Sequence, residues 1–321
     1  MYEQIARNRR ASWLLMGIIV ALFALVGYVF GVAWTGEQAG GLGLLGVFGV
    51  VAIAWSLIGY YTGAKMVLAV SGARLVTHAD EPRLYNVVEE MTIAAGLAQP
   101  PAVYVIEDEA LNAFATGRDP AHSAVAVTRG LLERLDREEL QGVVAHELSH
   151  IRNYDIRFAT LVGILVGVIA LVADFFLRST FFGMGRRRGG DSSGGGGLMM
   201  IVALLLAILA PLAAAAVQFA ISRRREYLAD ASGVELTRNP LGLARALNEI
   251  AGDTGRLESA NRATAHLYIA NPLRRQHTGA LFATHPPVDE RIAVLLKMAH
   301  VGPEALGSPA GGASAPAPGA V

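Results

Sequence analysis

The sequence predicts an α+β membrane protein, in which a mostly helical domain with a small β-sheet is combined with two transmembrane helical hairpins. Of its 321 residues, 53% are hydrophobic and only 17% are charged. The mean hydropathy is +0.41, which is too apolar for an ordinary soluble enzyme. Four apolar stretches approach the length of about 20 residues that crosses a bilayer. Around them, amphipathic helix patterns alternate with short β-branched runs typical of strands.

The apolar stretches define two predicted hairpins. The first stretch is longer than the apolar core of a cleaved signal peptide, so we interpret it as a retained anchor that pairs with the second. The third contains Asp174, the fourth contains Pro211, and a glycine-rich loop with arginines joins them at Gly183–Gly197. The predicted spans are Ser12–Val32, Gly40–Thr62, Phe158–Leu177 and Leu198–Ser222.

The distribution of positive charge predicts the orientation. Arg7, Arg9 and Arg10 precede the first span, whereas residues 33–39 contain no Lys or Arg. The N-terminus and everything after Lys65 are therefore expected on the cytoplasmic side of the membrane. The arginines of the second loop oppose four full spans. Two alternatives stay open, namely four spans or a second hairpin that enters without crossing.

The remaining segments divide into local elements. We predict helices over Glu81–Ala95, from Asn239-Pro240 onward, and over Val288–Ala299. We predict strands over Ala102–Ile106 and Ser123–Thr128. The tail from Gly302 is mostly Pro, Ala, Gly and Ser and is predicted to be disordered. The domain boundaries follow as 1–63 (first hairpin), 64–157 (α+β domain, first part), 158–221 (second hairpin), 222–300 (α+β domain, second part) and 301–321 (tail).

The segment His146-Glu147-Leu148-Ser149-His150 carries the strongest chemical signal. Histidines at i and i+4 share one face of a helix and can bind one metal ion. Glu147, beside the first histidine, is then placed to act as a general base toward a water molecule. Asp136 and Glu139 form a capping-box pattern at the start of this helix.

A third metal ligand is expected because a catalytic zinc takes three protein ligands and water. The chain has no cysteine, which leaves histidine and carboxylate. Glu226 is the best choice, because it lies four residues after the fourth apolar stretch and His150 lies eight residues before the third. If these two stretches pack as an antiparallel hairpin, their ends bring both groups together. Asp230, one turn later, is expected to hold a ligand histidine. The alternative is that Glu226 is only a counter-charge to the preceding arginines.

These segments resemble the HtpX family of bacterial membrane-bound zinc endopeptidases, which is related to the CAAX prenyl proteases. The resemblance rests on His146–His150, the segment Ser222–Asp230, Asn112–Gly117 and Thr284-His285-Pro286-Pro287. It implies a gluzincin-type fold in the cell inner membrane, with a catalytic domain on the cytoplasmic side. It also implies one Zn²⁺ per chain, bound by the residues matching His146, His150 and Glu226, with the residue matching Glu147 as catalytic base.

The resemblance implies cleavage of misfolded or damaged membrane proteins. The substrate is expected to pair with a strand at Asn112, Ala113, Phe114 and Ala115. His285 has two interpretations, an oxyanion-stabilising role or a structural role before a helix. The predicted partners are such substrates and the lipid bilayer, and the zero net charge gives no indication of nucleic acid. The alternatives are a prenyl-protein endopeptidase, which should enclose its site in more spans, and a non-catalytic membrane scaffold, which has no need of Glu147.

Overall fold

Helices and one small sheet make up the described part of this computed structural model, which comprises residues 2–166, 223–253, 255, 257, 264–270 and 287–307. The helices are α1 (Tyr2–Thr35), α2 (Gln38–Val70), α3 (Pro82–Ala94), α4 (Arg129–Arg134), α5 (Arg137–Arg152), α6 (residues 155–166), α7 (Arg223–Thr237), α8 (Pro240–Gly252) and α9 (Val288–Ala299). The strands are β1 (Ala73–Leu75), β2 (Ala102–Ile106), β3 (Ala113–Asp119) and β4 (His122–Thr128). The local elements predicted from periodicity are thereby confirmed to within a residue or two.

Two long helices at the start of the chain are apolar enough to cross a membrane, over Ile5–Val32 and Gln38–Val70. They pack closely at glycines. A Cβ on Gly31 would lie 2.4 Å from the carbonyl oxygen of Gly40, so a residue with a side chain would not allow this approach. Many of the large apolar side chains that are exposed in the described residues belong to these helices, as a lipid-facing surface requires.

The first two predicted spans lie within α1 and α2, but both helices are longer than those spans. The helical pattern continues beyond the apolar run, so α1 begins at Tyr2 and includes polar residues before Ser12. The third predicted span, Phe158–Leu177, is helical as far as residue 166. Its remainder and the fourth span lie outside the described residues, together with the glycine-rich loop.

The sheet has the strand order β1-β2-β4-β3. The pairing is parallel between β2 and β4 and antiparallel in the other two pairs. Strand β3 is therefore an edge strand, with Ala113 opposite Val127. Because β4 leads through α4 into α5, the sheet fixes where the histidine-bearing helix starts.

Helix α5 is at the centre of the core. Asp136 accepts a hydrogen bond from the backbone N–H of Glu139 at 2.9 Å, and its own N–H donates to the Glu139 carboxylate at 2.8 Å. This is the predicted capping box. The apolar side of the helix is fully buried, as the period-3.6 pattern predicts, with 0% exposure of Leu140, Val144, Leu148 and Ile151.

Glycines let two later helices approach α5 closely. A Cβ on Gly142 would lie 2.8 Å from the Cα of Leu243 in α8. A Cβ on Gly233 of α7 would lie 3.2 Å from the backbone N of His146. Glu226, Asp230 and Gly233 are spaced four and three residues apart, so they share one face of α7. The close approach therefore turns both carboxylates toward the histidines.

The C-terminal segment differs from its prediction at one place. Residues Pro303–Leu306 form a turn of 3₁₀ helix, and the carbonyl of Ala305 accepts a hydrogen bond from Arg245 at 3.1 Å. The disorder expected from Gly302 onward is therefore wrong for these residues, because a side chain of α8 holds them. Residues 308–321 lie outside the described part.

Candidate metal centre

His146 and His150 face each other on one side of α5. Their Nε2 atoms are 3.2 Å apart. The side chain of His146 is 1% exposed and that of His150 is 16% exposed. The spacing of one helical turn thus places both rings side by side, with their Nε2 atoms close enough to bind one metal ion, as the sequence predicts.

Glu226 completes a cluster of three potential ligands. Its carboxylate oxygens lie 3.7 Å from the Nε2 atoms of both histidines, and the three ligand atoms lie within 4.8 Å of one another. Zinc bonds of about 2.0–2.1 Å in a tetrahedral site place neighbouring ligand atoms about 3.3 Å apart. The residues therefore fit a zinc ion if the carboxylate of Glu226 moves closer to the two imidazoles, and the fourth position would be open to water.

A carboxylate holds the other nitrogen of each histidine. His146 Nδ1 lies 2.9 Å from Asp230 Oδ1, and His150 Nδ1 lies 3.1 Å from Asp155 Oδ2. A proton on Nδ1 is favoured by these contacts, which leaves the Nε2 lone pairs directed toward the cluster. Asp230 was expected in this role.

Arg291 is a fully buried cation behind the centre. Its Nε and Nη2 donate to the two oxygens of Asp230 at 2.8 and 2.6 Å, and its Nη1 lies 3.5 Å from Glu226 Oε2. Burial acts to raise the pKa of Asp230, but the nearby charge of Arg291 holds that pKa below its usual value. Asp230 is therefore kept as the anion that accepts from His146.

Glu147 lies beside the cluster and is 1% exposed. Burial raises the pKa of its carboxyl group to about 7, against the opposing effects of the His150 and Arg291 charges and a backbone hydrogen bond from Ala115. Among the described residues, its Oε1 has no hydrogen-bond partner. One oxygen is thus available to exchange a proton near neutral pH, as a general base requires.

The cluster opens into a cavity whose wall is partly apolar and partly polar, with Asp155, Arg225 and His266 among its polar residues. His146, Glu147, His150 and Glu226 line one side of it. Residues from β3, from the first turns of α6 and from the segment 264–270 line the rest, including Ala115, Ile156, Ala159, Leu267, Tyr268 and Ile269.

The four predicted substrate-strand residues have different surroundings. Asn112 donates to the carbonyl of Ala270 at 3.0 Å, and the carbonyl of Ala113 accepts from the N–H of Ile269 at 2.9 Å. Phe114 is fully buried with its ring against Tyr268. Only Ala115 lines the cavity, because residues 264–270 return to the edge of β3 and pair with its first part.

Two other histidines, His285 and His266, are considered as possible parts of the site. His285 lies outside the described residues. His266, to which no motif points, lines the cavity and is within 2.9 Å of the carbonyl of Ala159.

Sequence reasoning missed Asp155, Arg291 and Asn8, which contacts Asp155. Arg291 had a usable signal, because it lies three residues after Val288 and four before Leu295, on the predicted apolar face of α9. A charged residue on an inward face indicates buried partners of opposite charge. Asp155 had no comparable signal, since it reaches His150 only because the chain turns at Tyr154, which has a φ of 60°.

Two histidines one turn apart, a carboxylate within reach of both and a buried glutamate beside a cavity are the arrangement typical of a metallohydrolase site. Residues 78–299 match the family model of Peptidase family M48. The chain belongs to this peptidase family, and it is a metalloendopeptidase. It is 43% identical over 300 residues to a Protease HtpX homolog of Streptococcus gordonii, which covers 93% of this chain and all of that protein. It is 46% identical over 308 residues to a Protease HtpX homolog of Listeria monocytogenes, with the same coverage.

These relatives confirm the resemblance to the HtpX family. Among solved structures, the chain is similar to the crystal structure of S. mikatae Ste24p, with 17% identity and a TM-score of 0.46, over 92% of this chain and 67% of that one.

Proposed function

We propose that this metallopeptidase is zinc-dependent and hydrolyses peptide bonds of misfolded or damaged membrane proteins at the cytoplasmic face of the membrane. The observation that carries the proposal is the cluster of His146, His150 and Glu226 with Glu147 beside it at the wall of a cavity. A non-catalytic scaffold would have no use for a buried, partly unpaired carboxylate at this point.

Zinc is the ion that the donor set favours. Two imidazole nitrogens and one carboxylate, with no thiolate, match the ligands of catalytic zinc sites. His146, His150 and Glu226 would hold one ion per chain. When bound, zinc acidifies water and polarises a carbonyl group.

The protein's own side chains would transfer the proton and hold the imidazoles in position. Glu147 takes a proton from the attacking water and delivers it to the departing amine. Asp230 and Asp155 keep the two imidazoles in position. Arg291 keeps Asp230 charged, so that the orientation of His146 does not depend on pH near neutrality.

The surroundings of the cavity support substrates at the membrane surface. Ile156 and Ala159 line the cavity and belong to α6, the helix with which the third predicted span begins. The positive charges of the first ten residues favour a cytoplasmic position for this end. An extended substrate that pairs through its main chain near Ala115 would be recognised with little regard for its side chains, which suits damaged proteins of many sequences.

The first test is Glu147→Gln in the purified full-length chain. The substitution keeps the shape of the side chain but removes the base. We expect one zinc per chain as in wild type, and cleavage of an unfolded membrane protein slower by at least about a hundredfold. Zinc analysis and a proteolysis assay measure the two quantities. Near-normal turnover contradicts the mechanism, and loss of zinc would make Glu147 a ligand.

Matched variants on α7 control for the third ligand. Glu226→Ala should lower zinc occupancy, because two histidines alone make an incomplete site. Glu235→Ala, an exposed position on the same helix, should leave it unchanged. Zinc loss with Glu235→Ala instead would show that the ligand is misassigned. Faster cleavage of a prenylated C-terminal peptide than of unfolded protein would favour the prenyl-protein alternative.

A further inference from the structure

Asn8 is a buried amide on a helix that is otherwise largely apolar. It lies on the first turns of α1 and is 2% exposed. Its Nδ2 donates to Asp155 Oδ1 at 2.5 Å and to the backbone carbonyl of Asn153 at 2.9 Å. Both N–H groups of the amide are therefore directed to the turn that follows α5, 145 and 147 residues away in sequence.

Asp155 joins this amide to the metal centre. One of its oxygens accepts from Asn8, and the other lies 3.1 Å from His150 Nδ1. Arg225 adds a positive charge, with Nη1 4.0 Å from Asp155 Oδ1. The carboxylate is thus held from α1 and α7 while it orients a ring on α5.

This position makes the carboxylate sensitive to its neighbours. Asp155 is 6% exposed, and a buried carboxylate keeps a fixed orientation only where hydrogen bonds hold its oxygens. Rotation of the carboxylate would withdraw Oδ2 from His150. The ring would then lose the contact that directs its Nε2 toward His146 and Glu226.

We propose that Asn8 is a positioning residue for the metal site, through which the N-terminal apolar helix sets the affinity for zinc. The inference rests on the proposed function, because it takes zinc as the ion. The competing explanation is that Asn8 only fastens α1 to the catalytic part and has no effect on His150.

Ser12 offers a matched control one turn along the same helix. It is 1% exposed, like Asn8, but its hydroxyl donates to the carbonyl of Asn8 itself at 2.9 Å. Ser12→Ala therefore removes a buried hydrogen bond from α1 without removing a contact to Asp155.

The experiment measures the zinc dissociation constant of the full-length chain in detergent, by competition with a chelator. Asn8→Ala should weaken zinc binding about tenfold, and Ser12→Ala should not change it. Asn8→Leu, which fills the space and suits an apolar helix, should show the same loss if the alanine variant does not fold. In the Co²⁺-loaded protein, the Asn8 variants should shift the visible absorption bands, which report on ligand geometry.

A double-mutant cycle separates positioning from general stability. Asp155→Asn should weaken zinc binding, and adding Asn8→Ala should cause no further loss, because both changes act through one carboxylate. Wild-type zinc affinity in Asn8→Leu, or additive losses in the double variant, would overturn the inference alone. Absence of zinc binding by the wild type would overturn the proposed function and this inference with it.

Discussion

At the residue scale, Arg291 determines the charge balance of the metal centre. It is 0% exposed and contacts two carboxylates, Asp230 and Glu226. Its guanidinium also donates to the carbonyl of Ile269 at 3.3 Å, so it joins α9 to α7 and to the cavity wall. A single side chain thus compensates two buried negative charges.

We expect Arg291→Met to destabilise the metal-free protein strongly. The substitution preserves much of the volume but leaves buried carboxylates without their cation, which typically lowers the free energy of unfolding by about 3–5 kcal/mol. Thermal or denaturant unfolding in detergent measures the effect. Arg134→Met is the control. Arg134 is 36% exposed and pairs with Glu249 at 3.5 Å, so its loss should lower the free energy of unfolding by less than about 1 kcal/mol. Equal stability of the two variants would contradict this account.

At the element scale, the free edge of β3 is shorter than the sequence suggests. The N–H of Thr128 donates to the carbonyl of Asn112, so Asn112 faces β4. Alternate residues face the other way, and there the carbonyl of Ala113 is already bonded to Ile269. The part of the edge that remains beside the cavity is at Ala115.

We therefore predict that Ala115→Pro impairs substrate binding more than Ala113→Pro does. Proline on an edge strand removes one N–H donor without breaking the ladder to β4. Both variants should fold and bind zinc, and Ala115→Pro should raise KM for an unfolded substrate. Because the Ala115 N–H also contacts Glu147, kcat is measured separately to detect an effect on the base. Failure of Ala113→Pro to fold would show that the pairing with Ile269 is essential, and unchanged KM in Ala115→Pro would exclude pairing there.

The sequence predicts the parts of the site that are local in the chain. His146, Glu147 and His150 follow from helical spacing, and Asp230 follows from its place one turn after Glu226. The partners that fix these groups are not local. Asn8 and Asp155 meet the centre only through the packing of α1 and α6, which no periodic pattern encodes. The place of Arg291 on the apolar face of α9 indicates that it is buried, but not which carboxylates it contacts. The hydrogen bond from Ile269 to Ala113 likewise joins residues that are far apart in the sequence. It occupies part of the strand edge that was predicted to bind substrate.

At the scale of the whole molecule, the membrane topology is open to a direct test. The chain has no cysteine, so single cysteines can be placed and labelled with an impermeant reagent in intact cells. Gln38→Cys, at the start of α2, should react from outside, whereas Ala79→Cys and Ser308→Cys should be protected. Ser192→Cys, in the glycine-rich loop, should react if the second hairpin spans the membrane. Protection at Ser192 together with Ser308 would replace four spans by two spans and a re-entrant hairpin.

The position of Arg291 near the end of the chain has a consequence for biosynthesis. A ribosome synthesises the N-terminal helices first and α9 among the last of the described elements. Until α9 emerges and docks, Asp230 and Glu226 lack their buried counter-ion, Arg291. By this reasoning the site is assembled only after α9 has been synthesised and has docked. An incomplete chain would therefore contain both apolar helices and the histidine-bearing helix before it could cleave a peptide bond.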